Sequence, residues 1–267
     1  MADDRPIGIF DSGVGGLTVV KEVIQALPME NIVYFGDTAR VPYGSKSGET
    51  VTRFSKQIMR FLLTQDIKAI IVACNTICSV SLAALRETFD VPIIDVIQPG
   101  IDAGLSATRS GRIGVIGTEQ TIRSGVYQNS FREKAPDIFV YAKPCPLFVP
   151  LVEEGWTNNT VARITVDIYL QEMADKEVDS LVLGCTHYPI LRRCIQETLG
   201  GVTIVNPAET CAERMKDFLE THRMRRESAS APYRAFHASD QSSRFTRMCR
   251  LVLEEDYEAQ KVDIEKY

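Results

Sequence analysis

Short apolar runs alternate with longer stretches of helical spacing along most of the chain. PIGIF (residues 6–10) reads as a strand, followed by the turn DSGVGG and a helix over 17–26. NIVYF (31–35) is a second strand, and a polar loop, GDTARVPYGSKS, leads from it to a helix over 49–64. KAIIVA (68–73) and VPIIDV (91–96) are the third and fourth strands. These runs are β-branched and continuously apolar, the pattern of strands buried on both faces. They predict a parallel sheet with helices on either side.

The pattern then restarts. RIGVIG (112–117), DIFVYA (137–142), DSLVLG (179–184) and VTIV (202–205) form a second series of four strands. Cys185 lies 111 positions after Cys74, Val202 lies 111 after Val91, and Ile113 lies 106 after Ile7. A near-constant offset points to an internal repeat. The expected fold is therefore α/β, with two similar doubly wound parallel-sheet domains facing a central cleft. Residues 1–97 with 208–267 make the first domain, which carries Asp11 and Cys74. Residues 98–207 make the second, which carries Cys185 and His187. In the tail the sequence predicts a helix over 207–225 whose basic last turn (Arg223, Arg225, Arg226) suits a helix C-terminus. A turn at SASAP (228–232), a strand near 234–237, a helix over 242–254 and a final polar strand follow, packing back on the first domain.

Composition narrows the class. The chain has 267 residues, 45% of them apolar and 24% charged, which excludes disordered and collagen-like proteins and leaves ample material for a core. A net charge of -5 argues against a nucleic-acid scaffold. No run approaches the ~20 apolar residues of a membrane helix. The opening MADDRPIGIF has neither the basic region nor the long apolar core of a signal peptide. The cysteines number seven and are scattered, which fits free thiols in a reducing cytoplasm. Their spacing matches no zinc site, so no metal is expected.

Two of those cysteines share a context. IIVACNTIC (70–78) and LVLGCTHYP (181–189) each end an apolar strand in a cysteine followed by hydrogen-bonding residues. In an open parallel sheet, ligands bind beyond the carboxyl ends of the strands. Asp11 and Ser12 fall there, as do Pro42, Tyr43 and Gly44 in the loop after the second strand. So do Cys74, Asn75 and Thr76, and, in the other domain, Cys185, Thr186 and His187. Two facing thiols suit the inversion of a carbon centre: one thiolate removes a proton and the other thiol delivers one from the opposite side. A free thiol with a pKa of ~8.5 titrates near working pH, and a neighbouring imidazolium or helix N-terminus favours its thiolate. DSGVGG lacks the lysine of a Walker loop and the spacing of a dinucleotide loop. It reads instead as a turn offering backbone N–H groups to a small anion such as a carboxylate. Glu153 and Glu154, in LVEEGW, are carboxylates that either reach the cleft or lie solvated on the surface.

Plainer roles stand beside these. A lone buried cysteine is commonly a small hydrophobe, and that suffices for Cys78, Cys145, Cys194, Cys211 and Cys249. Asp11 has an alternative as a helix cap, His187 as a cap or packing residue, and Tyr43 as a loop aromatic. A binding module closing on a small acidic ligand accounts for the anion-holding turns but gives no reason for paired thiols. A disulfide between Cys74 and Cys185 requires Cα atoms within ~7 Å.

With these residues in view, the sequence resembles the cofactor-independent aspartate/glutamate racemase family. The blocks that carry the likeness are IGIFDSGVGGLTV, VYFGDTARVPYGSKS, IVACNTIC, IGVIGT, PLFVPLVEEGW and LVLGCTHYPIL, in order over roughly Ile7 to Glu209. The resemblance implies interconversion of L- and D-glutamate without pyridoxal phosphate or metal, hence no cofactor, and D-glutamate destined for peptidoglycan in a bacterial cytoplasm. It implies that Cys74 takes the proton from D-glutamate and Cys185 from L-glutamate. Asp11 would assist Cys74 and His187 would assist Cys185, with Glu153 close by. Asp11, Ser12, Pro42, Tyr43, Gly44, Asn75, Thr76 and Thr186 would hold the amino acid. It implies a homodimer and no nucleic-acid or membrane partner. Aspartate or hydantoin racemisation on the same scaffold is the nearest rival activity.

Overall fold

The computed structural model describes residues 3–240 and 243–267. Its strands, in chain order, are β1 (Ile7–Asp11), β2 (Ile32–Gly36), β3 (Ala69–Val72), β4 (Ile93–Asp95), β5 (Arg112–Gly117), β6 (Phe139–Pro144), β7 (Ser180–Gly184), β8 (Thr203–Val205), β9 (Arg234–Ala238) and β10 (Gln260–Lys261). They form two wholly parallel sheets. One runs β10-β9-β2-β1-β3-β4 and the other β6-β5-β7-β8. Within each, the order second-first-third-fourth recurs, so the second sheet repeats the topology of β1 to β4. The predicted repeat is thus a repeat of winding as well as of spacing.

The central strands β1, β2, β3 and β7 are buried along their whole length, as their unbroken apolar runs require. β6 departs from the prediction. It begins two residues later than the 137–142 run and lies at a sheet edge, where its residues are half-buried or exposed.

The first sheet is flanked by α1 (Leu17–Ala26), α2 (Gly48–Leu63) and α3 (Asn75–Thr88). α2 shows why such a segment becomes a helix. Ser47 Oγ accepts the Thr50 N–H at 3.3 Å as an N-cap. Val51, Ser55, Ile58, Met59 and Leu62 then recur at helical spacing on the buried face. The chain passes to the second sheet through α4 (Ile97–Ala107). That lobe adds α5 (Glu119–Arg123), α6 (Val126–Lys134), α7 (Phe148–Glu153), α8 (Thr160–Asp175) and α9 (Arg192–Thr198). It returns through α10 (Pro207–Thr221), capped by Asn206 and opened by a proline at its first position. α10 packs on both α1 and α4 and so touches both lobes.

The tail rejoins the first sheet through β9, paired with β2, and α11 (Ser243–Leu253), packed on α1. Ser242, the predicted start of that helix, lies outside the described residues. The helix predicted over 207–225 ends at Thr221, and the basic residues after it do not form its last turn. Arg223 takes the left-handed conformation (φ 56°), which breaks the helix. Beyond it Glu30 accepts the Arg226 N–H at 3.0 Å, while the Arg226 side chain bonds the Met29, Ser228 and Ser230 carbonyls. Glu30 also meets the buried Lys68 at 2.6 Å, and Lys68 bonds the Asp3 and Met224 carbonyls. This buried network ties the tail to the end of the first sheet remote from the carboxyl ends of its strands. No helix among the described residues is long and apolar enough to cross a membrane.

Candidate active site

In each lobe the first and third strands are neighbours, and the crossovers leaving them depart in opposite directions. Such a switch point opens a crevice at the strands' carboxyl ends. Ser12 follows β1, Cys74 follows β3, Thr118 follows β5 and Cys185 follows β7. All four line one cavity of about 490 Å³ between the lobes, within the usual range for a small-molecule site.

Cys74 is buried and sits at the N-cap of α3. Its Sγ donates to Ser12 Oγ at 3.4 Å. Asp11 stands behind it rather than in the cavity wall and is fully buried. One Asp11 oxygen accepts the Gly16 N–H at 2.9 Å, and the other accepts Thr186 Oγ1 at 3.5 Å. Burial pushes the Asp11 carboxyl up, against the His187 charge and the N–H groups that pull it down. Burial first, and the Asp11 charge second, push the Cys74 thiol up to about 12. Cys74 therefore holds its proton at neutral pH.

The other half is built differently. Cys185 Sγ lies 3.9 Å from His187 Nδ1, and His187 Nε2 lies 3.2 Å from Glu153 Oε1. Burial alone would drive the imidazole down. Its bonds to Cys185 and Glu153, with the charges of Cys185 and Asp11, raise it instead to about 10. Burial likewise works against the Glu153 carboxylate, but His187 and Arg244 hold it below its ordinary range. One thiol is thus backed by a carboxyl and the other by an imidazolium–carboxylate pair.

The remaining predicted residues divide. Pro42, Tyr43, Gly44, Asn75, Thr76 and Thr186 line the cavity. Asn75 and Thr76 are the first residues of α3, where backbone N–H groups lack intrahelical partners. Asn75 Oδ1 accepts the buried Tyr127 hydroxyl at 2.7 Å across the lobes. Tyr43 is buried with its hydroxyl bonded to Asp37, so it supplies a wall rather than a free donor. The DSGVGG turn also differs from expectation, since its Gly16 N–H is taken by Asp11. Glu153 reaches the cavity, whereas Glu154 turns outward to Arg244 at 3.1 Å. The seven cysteines are all free thiols.

Among the cavity residues that escaped the sequence reading are Thr118 and Arg244. Thr118 Oγ1 lies 2.9 Å from Thr76 Oγ1. The repeat carries a signal for it, because Thr118 stands after β5 as Ser12 stands after β1. Arg244, from the tail, carries none. Among the described residues no three His, Cys, Asp or Glu side chains are grouped to hold a metal ion.

Comparison with known proteins follows the same lines. Residues 7–215 match the family described as Asp/Glu/Hydantoin racemase. The chain is 50% identical to glutamate racemase of Geobacter metallireducens over 245 residues, 91% of each chain. Its fold superposes with a TM-score of 0.93 on glutamate racemase from Francisella tularensis in complex with D-glutamate, at 37% identity, covering 99% of this chain and 100% of that one. The Thermus thermophilus glutamate racemase in complex with beta-chloro-D-alanine gives a TM-score of 0.90 at 38% identity, with 100% of both chains covered. With its doubled winding, its facing thiols and these likenesses, the chain belongs to the Asp/Glu/Hydantoin racemase family.

Proposed function

We propose that this cavity interconverts L- and D-glutamate by passing the α-proton between two thiols, Cys74 and Cys185. Glutamate racemisation is the activity of its relatives, and in the family the D-isomer feeds peptidoglycan synthesis. One observation carries the two-thiol reading: both cysteines open onto a single cavity, and each has its own acid/base partner.

In the L-to-D direction Cys185 takes the α-proton, and the adjacent His187 imidazolium offsets the thiolate charge. Cys74, which keeps its proton to about pH 12, delivers it to the opposite face. In the reverse direction Cys74 is the base and the Cys185 thiol delivers a proton to the opposite face. Asp11, raised by burial, takes up the Cys74 proton, and the substrate ammonium compensates the charge left behind. The carbanion gains most from groups fixed beforehand. Asn75 and Thr76 at the positive end of α3, with Thr118 and Thr186, form a cradle for the carboxylates. Closure of residues 1–97 and 208–267 on residues 98–207 excludes water from it.

Proton NMR with L-glutamate in heavy water, paired with chiral analysis, tests this directly. Loss of the α-proton signal together with D-glutamate is the expected result. A retained α-proton overturns it, and faster turnover of aspartate would reassign the substrate.

A homodimer in a bacterial cytoplasm belongs to the same reading. Val161, Ile164 and Ile168 are exposed on one face of α8, with Leu147 and Trp156 exposed on either side of α7, an apolar surface of the kind partners cover. Light scattering of Ile168→Glu against the parent chain tests it, and an unaltered mass counts against that face.

A further inference from the structure

The apolar face of α11 is fixed to the first lobe. Phe245, Met248, Cys249 and Val252 are buried there, and the Phe245 ring lies 6.3 Å from that of Tyr34 and 6.1 Å from that of Phe236. This leaves Arg244 and Arg247 facing the other lobe across the cavity mouth. Arg244 forks. One nitrogen meets Glu153 Oε2 at 3.0 Å and the other meets Glu154 Oε1 at 3.1 Å. Arg247 donates to the Glu153 backbone carbonyl. The second oxygen of Glu153 faces His187 at 3.2 Å, and His187 faces Cys185. A continuous chain of polar contacts therefore runs from a helix of one lobe to the thiol of the other.

We propose that Arg244 is a positioning residue for Cys185: reaching from the first lobe, it holds the Glu153 carboxylate against His187, so that this half of the site is complete only when the lobes are closed. The inference rests on the two-thiol reading above. Planar guanidinium geometry suits it, since one fork fixes a carboxylate in distance and orientation together. The Cys74 half depends less on closure, because Asp11, Ser12 and Cys74 come from the same lobe and the other lobe reaches Asp11 through Thr186 Oγ1 at 3.5 Å. The charged and titratable groups facing the Glu153–His187 pair are Cys185, Asp11, Arg244 and Arg247, with Glu154 on the far prong of the fork.

Thermodynamics shapes the test. Enantiomers are equal in free energy, so any variant lowers kcat/KM equally in both directions, and the damaged half must be found another way. Arg244→Met, Arg244→Lys and Glu154→Gln are compared with the parent chain in heavy water, starting from each enantiomer. Arg244 and Glu154 are substantially exposed at 44% and 56% of their side-chain surface, so all three variants are expected to fold, which thermal melts check. Misplacing His187 in Arg244→Met is expected to lower inversion by about tenfold or more. From D-glutamate, where Cys74 removes the proton, exchange without inversion then rises relative to inversion. From L-glutamate, where Cys185 must act first, exchange and inversion fall together. Arg244→Lys, with the charge but not the fork, is expected to be intermediate. Glu154→Gln removes a surface pair and should stay within about twofold of the parent.

Equal exchange-to-inversion ratios from D-glutamate in Arg244→Met and the parent would overturn the inference while leaving the racemase reading intact. So would a Glu154→Gln defect as large as that of Arg244→Met, since Arg244 would then be clamping the lobes and not placing Glu153. A parent chain that neither exchanges nor inverts sinks the two-thiol reading itself, and the inference with it.

Discussion

Gly15 and His187 leave no room for a single carbon between them. A Cβ built on Gly15 would meet His187 Nδ1 and Thr186 Oγ1 each at 2.4 Å. Gly15 belongs to the turn after β1 and His187 to the segment after β7, so this contact sets how closely the lobes approach. Gly15→Ala must push the imidazole or the whole second lobe aside. Overpacking of this kind costs about 1–3 kcal/mol, and a displacement near 1 Å costs about a hundredfold in rate. We therefore expect Gly15→Ala to lose activity far out of proportion to its modest loss of stability, with urea unfolding and kcat/KM measured side by side. Near-parental rates would mean that the lobes close without this contact.

The two thiols lead to a handed prediction. A serine hydroxyl is a far weaker acid than a thiol, so Cys74→Ser and Cys185→Ser should each lose about 10²–10⁴-fold in racemisation. Residual α-proton exchange should survive from one enantiomer only: from L-glutamate in Cys74→Ser and from D-glutamate in Cys185→Ser. Exchange from both enantiomers in either variant would show that a single group serves both faces.

The strands were legible because burial on both faces leaves an unbroken apolar run, and the repeat exposed the second sheet through its spacing. Cys74 and Cys185 were legible for the same reason, since each ends such a run. What escaped depends on the meeting of distant segments. Nothing near Arg244 in the sequence says that α11 will face α7, 90 residues away along the chain. Tyr43 read as a residue that would hold the amino acid, because nothing in the sequence sets Asp37 against its hydroxyl. The end of α10 at Thr221 was hidden because Arg225 and Arg226 suit a helix terminus as well as they suit Glu30.

Tyr127 shows how a residue outside the cavity sets one inside it. Its buried hydroxyl donates to Asn75 Oδ1 at 2.7 Å, leaving the Asn75 amide nitrogen free to donate to substrate. Tyr127→Phe leaves the buried Asn75 carbonyl unpaired, which costs about 1–3 kcal/mol, and lets the amide turn. We expect a raised KM for glutamate with kcat less affected, read from steady-state racemisation of both enantiomers. An unchanged KM would remove Asn75 from the substrate cradle.

The Glu153–His187 pair makes stability depend on pH in a predictable sense. His187 is raised to about 10 from an ordinary 6.5. The folded state therefore binds its proton more tightly than the unfolded state, and the resulting stabilisation is complete below about pH 6.5 and lost as pH rises towards 10. Glu153 is depressed from its ordinary 4.5, so its contribution is present above that value and lost on acidification. Both contributions coexist between about pH 4.5 and 6.5. Urea unfolding of the parent and His187→Gln from about pH 4.5 to 10 is the measurement. The stability difference should hold steady up to about pH 6.5 and then shrink as pH rises towards 10. A difference that stays flat all the way to about pH 10, or that grows with pH, would mean that His187 is neutral in the folded protein and that Cys185 lacks a cation beside it.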